Sequence, residues 1–142
     1  MSTSPKSIIV TGGASGIGLA VTRHFASQGH RVAIVDINNV SGPAVTASLA
    51  AEFPQATVTF HKCDVSSWDE QAAAFKQVFR NHGDRLDLVM ANAGISEGVS
   101  TLLRLGDDDE VPVKPDVRAV GVNLLGVVYC GYLSGCPGWE ET

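Results

Sequence analysis

The sequence predicts an α/β fold, a parallel sheet with helices on both faces. Three observations predict it. Short runs of aliphatic and β-branched residues alternate with longer stretches of helical period. The short runs are apolar throughout, as strands covered on both faces are. Glycine, proline and small polar residues occupy the breaks between them.

The elements follow in order. "KSIIVT", residues 6–11, reads as a buried strand that ends at a cluster of glycines. From Gly16, the residues Ile17, Ala20, Val21 and Phe25 recur at helical spacing, and the helix is expected to stop near Gln28 and Gly29. "RVAIVD", residues 31–36, is a second strand of the same kind. Ser41 is expected to cap a second helix running to about Phe53, with Pro43 tolerated in its first turn and Pro54 ending it. "TVTFHKCD", residues 57–64, is a third strand. The stretch 67–82 is expected to be helical, with Trp68, Ala72, Phe75, Val78 and Phe79 on one face. "LDLVMANAG", residues 86–94, is a fourth strand running into a turn, and a further helical run is expected from about Pro115.

Composition narrows the function classes. The chain has 142 residues, 44% of them hydrophobic, enough for one core and one domain. A net charge of -5, with Lys and Arg scattered, offers no basic surface for a phosphate backbone, so nucleic acid is not an expected partner. The apolar run at residues 8–10 is too short for a signal-peptide core and no stretch approaches a membrane span, so a cytoplasmic protein is expected. Cys63, Cys130 and Cys136 are odd in number and lack metal-ligand spacing, which argues for plain thiols and no metal site. His24, His30, His61 and His82 are dispersed, without a partner at ligand or triad spacing.

"TGGASGIG", residues 11–18, holds four glycines in eight positions, between a strand and a helix. At such a junction the chain turns sharply, and the free N–H groups and positive end of the helix face outward together, which suits a phosphate. Gly13 and Gly18 have the separation of a nucleotide-triphosphate loop, but Leu19 and Ala20 stand where a lysine and a hydroxyl are needed. A dinucleotide loop instead requires an acid about 20 residues on to bind a ribose hydroxyl, and Asp36, at the end of the second strand, meets it. The competing reading is a tight turn followed by a solvated aspartate. Strand, loop, helix, strand and acid in that order weigh against it.

The spacing Gly12, three residues, Gly16, one residue, Gly18 departs from G-x-G-x-x-G and resembles that of the short-chain dehydrogenase/reductase family. Three more motifs carry the resemblance: "CDVS" at 63–66, "NAG" at 92–94 and "VNLLGVV" at 122–128. The resemblance implies a Rossmann-type fold, incomplete at about four strands in the order 3-2-1-4. It further implies a dinucleotide laid across the carboxyl ends of the strands. The implied cofactor-binding residues are Thr11, Gly12, Ser15, Gly16, Ile17 and Gly18 at the loop, Asp36, Asp64 and Val65 beside the adenosine, and Asn92, Ala93 and Gly94 along the cleft. Asn123 falls on the family's catalytic asparagine, which supports a proton relay through water. A carboxylate at Asp36 repels a 2′-phosphate, and no Arg or Lys occupies Ala14, Ile37, Asn38 or Asn39, so NAD is expected ahead of NADP. The implied chemistry is hydride transfer between the nicotinamide and a small-molecule carbonyl or alcohol carbon.

The family's tyrosine and lysine, four residues apart on a later helix, have no counterpart here. Tyr129 and Tyr132 are followed four residues later by Leu133 and Cys136, and no lysine occurs after Lys114. Both tyrosines are expected to pack. The dinucleotide-binding domain is read as residues 1–133, and "SGCPGWEET", residues 134–142, as an irregular tail foreign to the fold, as a truncation would leave, with a genuinely short, regulatory member as the rival account. An edge strand at 86–91 and the apolar residues Val117, Val120, Leu124 and Val128 would then lack cover, which makes a homo-oligomer a candidate. Two functions stay open: an oxidoreductase of this family, and a catalytically inactive dinucleotide-binding fragment or interaction protein. "GDDDE" at 106–110 lacks the spacing of a calcium loop and is read as part of a surface insertion, and Ser96 as a plain loop serine.

Overall fold

The computed structural model describes residues 4–96 and 114–136. Four strands, β1 (Ser7–Thr11), β2 (Arg31–Asp36), β3 (Thr57–Lys62) and β4 (Leu88–Met90), alternate with helices α1 (Gly16–Ser27), α2 (Ser41–Glu52) and α3 (Trp68–Asn81). A last helical run comprises α4 (Arg118–Val120), a π turn (Gly121–Leu125) and α5 (Gly126–Ser134). The strands form one parallel sheet in the order β3-β2-β1-β4.

β1 is buried along its whole length, with the apolar Ile8, Ile9 and Val10 flanked by the buried polar Ser7 and Thr11. Alternate residues serve opposite faces. Ile9, Ala33 and Val35 join Phe75, Val78, Cys130 and Leu133 beneath α3 and α5. Ile8, Val10 and Val32 meet Val21 and Phe25 of α1, while Ile34 meets Leu49 and Val45 of α2. The chain therefore leaves β1 toward one side of the sheet for α1 and α2, and returns to the other side of β1 through α3. The reversal between β1 and β4 opens a crevice at their carboxyl ends, where ligands of such sheets bind.

Several expectations are corrected. Ser41 opens α2 without capping it: the side chain of Asn38 accepts from the N–H groups of Val40 and Ser41, both at 3.0 Å, and supplies the oxygen that Ser41 was expected to give. The buried stripe of α1 is Gly18, Thr22 and Ala26, while Ile17 stands 78% exposed at the helix mouth. Small residues win the stripe because α1 lies close on the sheet, where Thr22 Oγ1 donates to the carbonyl oxygens of Gly18 and Gly13. On α3 the buried face is Gln71, Ala74, Phe75 and Val78, rotated from the expected one, with Trp68 displaced to the surface against Tyr129 and Tyr132. β3 ends at Lys62. β4 keeps only three residues, because the N–H of Asn92 turns back to the carbonyl of Met90. The π turn was not expected within the last helical run. The calls on 106–110 and on most of the tail lie outside the described residues.

At the opposite end of the sheet, His82 is buried beside Ser7, with Ser7 Oγ and His82 Nδ1 2.7 Å apart and Nε2 without a hydrogen-bond partner. Burial, the charge of Arg31 and the proximity of His61 hold the imidazole below the ordinary histidine range, and burial lowers His61 as well. The unfolded chain therefore takes up these protons at a higher pH than the folded one. The stability that this confers is complete above about pH 6.5 and is lost as pH falls below it. Thermal unfolding between pH 8 and pH 5 should show the melting temperature falling on the acid side. His82→Phe should flatten that fall, at a cost of about 1 kcal/mol at pH 8 for the lost Ser7 bond. A fall of unchanged steepness in the variant would remove His82 from this role.

Candidate functional site

The crevice between β1 and β4 is a cleft of about 650 Å³ lined by residues from every loop at the carboxyl end of the sheet. This is the size of cavity that takes a small organic ligand.

One wall is the turn from β1 into α1. Gly12 takes φ +65°, where a side chain is strained, and a Cβ there would lie 2.9 Å from Ala93 Cα. Its N–H donates to Val35 O at 2.8 Å, which closes the turn against β2. Ser15 is the N-cap of α1 in extended backbone, yet its hydroxyl makes no capping bond, and the first turn holds no acidic residue. The N–H groups and positive end of a 12-residue helix are thus left without an internal counter-charge, with Ser15, Gly16 and Ile17 on the cleft lining.

Asp36 ends β2 on the same lining and is 9% exposed. Its Oδ2 accepts from Ala14 N at 3.1 Å and its Oδ1 from Asn38 N at 3.0 Å. The carboxylate therefore steadies the glycine turn, and each oxygen keeps capacity for a further donor. Asp64 and Val65, on the loop after β3, line the cleft next. Asp64 Oδ1 accepts from the N–H and hydroxyl of Ser66, which shapes the loop into a tight turn.

Asn92, Ala93 and Gly94 form the opposite wall. Asn92 Nδ2 donates to the carbonyl of Thr11 at 3.1 Å, and the N–H groups of Asn92 and Ala93 both donate to Thr11 Oγ1. Thr11 Oγ1 also reaches Met90 O, and the residue is 1% exposed. Its hydroxyl is thereby committed to joining β1 to β4 rather than to a ligand. Gly18 likewise lies beneath the lining. Asn123 sits on the π turn and clasps one backbone unit: Nδ2 donates to Ile95 O at 2.8 Å, and Oδ1 accepts from Ile95 N at 2.9 Å. Ile95 lines the cleft.

Ten of the expected residues are thus gathered around one cavity, with Thr11 and Gly18 buried behind it and Asn123, off the lining, holding Ile95. Sequence reasoning missed Arg118, Ile95, Gly121 and Val122 on the lining. Arg118 is ion-paired with Asp116 at 2.6 Å and lies five residues before Asn123, a spacing that could have flagged it on the same helical run. Tyr129 and Tyr132 pack edge-on against Trp68, at centroid distances of 5.5 and 5.8 Å, and line no part of the cleft. Burial, reinforced by the charges of Glu70 and Asp64, pushes the Cys63 thiol up to about 12, and burial pushes Cys130 to about 11, so neither is a nucleophile at neutral pH. Among the described residues no group of His, Cys, Asp and Glu is assembled to hold a metal ion, and no helix is long and apolar enough to cross a membrane.

The family model described as short chain dehydrogenase matches residues 6–133. The chain is 40% identical over 134 residues to the NADP-dependent dehydrogenase clz5 of Cochliobolus lunatus, covering 92% of this chain and 45% of that protein. It is 35% identical over 138 residues to the 5'-hydroxyaverantin dehydrogenase of Dothistroma septosporum, covering 91% and 44%. A short-chain type dehydrogenase/reductase from Mycobacterium ulcerans superposes with a TM-score of 0.78 at 27% identity, over 94% of this chain and 46% of that one. The chain thus spans less than half the length of each of these relatives.

Proposed function

The chain belongs to the short-chain dehydrogenase family, and from that premise we propose that its cleft binds a nicotinamide dinucleotide for hydride exchange with a carbonyl or alcohol carbon. One observation carries the reading: the uncapped positive end of α1 opens on the same cavity as the Asp36 carboxylate. The residues fit the group. The N–H groups at the mouth of α1 suit a diphosphate, Asp36 suits the adjacent ribose, and Asp64 with Val65 suits the adenine. When bound, the nicotinamide supplies or accepts the hydride. Asn123 is a positioning residue in this reading, since both polar atoms of its side chain are engaged by Ile95.

NAD is the preferred form. The Asp36 carboxylate opposes a 2′-phosphate, and the cation that shares the lining, Arg118, is paired with Asp116. The name of the Cochliobolus lunatus relative points the other way for that protein. Calorimetric titration of the 142-residue chain with NADH and with NADPH decides between them. Tighter binding of NADH is expected; the reverse order would overturn the preference, and no heat with either would overturn the reading of the cleft.

A second reading has its own support: no tyrosine of this sequence is followed four residues later by lysine. By itself this stretch is expected to bind the dinucleotide without reducing carbonyls. NADH-dependent turnover with a panel of ketones, abolished by Asn123→Ala, would overturn that expectation. The exposed row Val117, Val120, Leu124 and Val128 supports a second copy as partner, which light scattering tests, and a cytosolic setting belongs to the same reading.

A further inference from the structure

Where the loop after β3 meets the helical run that carries Asn123, the helical run presents glycines to the side chains of Val65 and Ser66. Gly121 and Gly126 stand five residues apart, the period of the π turn, and both face that loop. A Cβ on Gly121 would lie 3.3 Å from Ser66 Cβ, and one on Gly126 would lie 3.1 Å from Val65 Cγ2 and 3.2 Å from Val65 O. Behind this seam Gln71 is fully buried, at 0% exposure. Its Nε2 donates to Val65 O at 2.5 Å and to Gly126 O at 3.0 Å, while Oε1 accepts from Cys130 Sγ at 3.3 Å.

Other hydrogen bonds tie the loop to α3. Glu70 accepts from Asp64 N, Ser67 Oγ accepts from Glu70 N, and Ser67 O accepts from Gln71 N. Gln71 alone among these residues joins the loop to the helix as well. An apolar residue would fill the same space without the desolvation cost of a buried amide, so the two carbonyls it serves are what the amide answers.

We propose that Gln71 is a positioning residue: by holding Val65 O and Gly126 O on one amide, it sets the adenosine wall of the cleft against the helix that bears Asn123. The proposal rests on the reading of the cleft as a dinucleotide site. It predicts that loss of the two donors loosens the wall at the adenosine end first.

The test is calorimetry with NADH and with AMP on the folded 142-residue chain, in the wild type and in Gln71→Met and Cys130→Ala. Gln71→Met keeps the bulk and removes both donors. Affinity for NADH and for AMP should fall together by roughly tenfold. Cys130→Ala loses packing at the same spot but leaves both donors in place, and should bind both ligands as the wild type does. Gly126→Ala presses on the seam from the helix side and should reproduce the tenfold loss where Gln71→Met does not fold. Wild-type affinities in folded Gln71→Met or Gly126→Ala would overturn the proposal. So would a loss confined to NADH, or an equal loss in Cys130→Ala. A wild type that binds neither NADH nor AMP would instead overturn the assignment of the cleft itself, and the role of Gln71 with it.

Discussion

Gly18→Ala is expected to abolish measurable dinucleotide binding. A Cβ at this position would lie 2.0 Å from Gly12 O, 2.7 Å from Gly12 C and 2.6 Å from Asn92 Nδ2. Two of these three atoms are backbone, so no rotamer change relieves the contact; the turn and the helix must part. That motion withdraws the first turn of α1 from the cleft. It also strains Asn92, whose Nδ2 donates to Thr11 O and Gly12 O and so ties β4 to β1. Overpacking of this kind costs about 3 kcal/mol in stability. The expected loss in NADH affinity is at least roughly a hundredfold, or about 2.7 kcal/mol. Thermal unfolding and calorimetry on the same sample measure the two effects. Gly131→Ala is the control, since a Cβ there meets nothing within 4 Å and the residue lies off the cleft lining. Equal binding by wild type and Gly18→Ala would remove the close approach of α1 to the turn from the account of the cleft.

The same glycine illustrates what the sequence made legible. Strand, glycine turn, helix and acid recur in a fixed order, and each residue type there has a steric or electrostatic reason that a linear reading can state. β2 and the ends of α1 were legible for that reason, whereas the strand order followed from the resemblance to the family and not from the residues alone. Gln71 was not. A glutamine in a helical stretch reads as solvated, and its burial is decided by Val65 O and Gly126 O, the second of them 55 residues away. The π turn was equally hidden, since nothing in "GVNLL" distinguishes it from the α-helix on either side. Thr11 was legible as part of the cleft but not in its role, because its hydroxyl is claimed by N–H groups 81 and 82 residues further on. Local turn chemistry misled at α2, where both Asn38 and Ser41 offer a capping oxygen and only the path of the chain between β2 and α2 selects Asn38.

Asp36 carries the prediction that most directly separates the two cofactors. Two roles meet in its carboxylate: it holds Ala14 N and Asn38 N, and it faces the cleft where the adenosine ribose is proposed to lie. Asp36→Ala therefore leaves a backbone N–H of the turn without its acceptor, a cost of about 1–2 kcal/mol in stability. It also deletes a charged acceptor for the ribose hydroxyls, so NADH affinity should fall by roughly tenfold. Neither effect alone is diagnostic, since a loosened turn weakens any ligand. The ratio is diagnostic. Both cofactors use the same turn and the same helix mouth, so loosening cancels between them, whereas repulsion of the 2′-phosphate acts on NADPH only. Two like charges about 5 Å apart at an effective dielectric constant near 20 repel by about 3 kcal/mol. Removing the carboxylate should accordingly shift the NADH-to-NADPH affinity ratio toward NADPH by roughly a hundredfold. Paired titrations of wild type and Asp36→Ala measure that shift. If the ratio stays where it was while both affinities drop, Asp36 only braces the turn, and cofactor choice rests with other residues of the cleft.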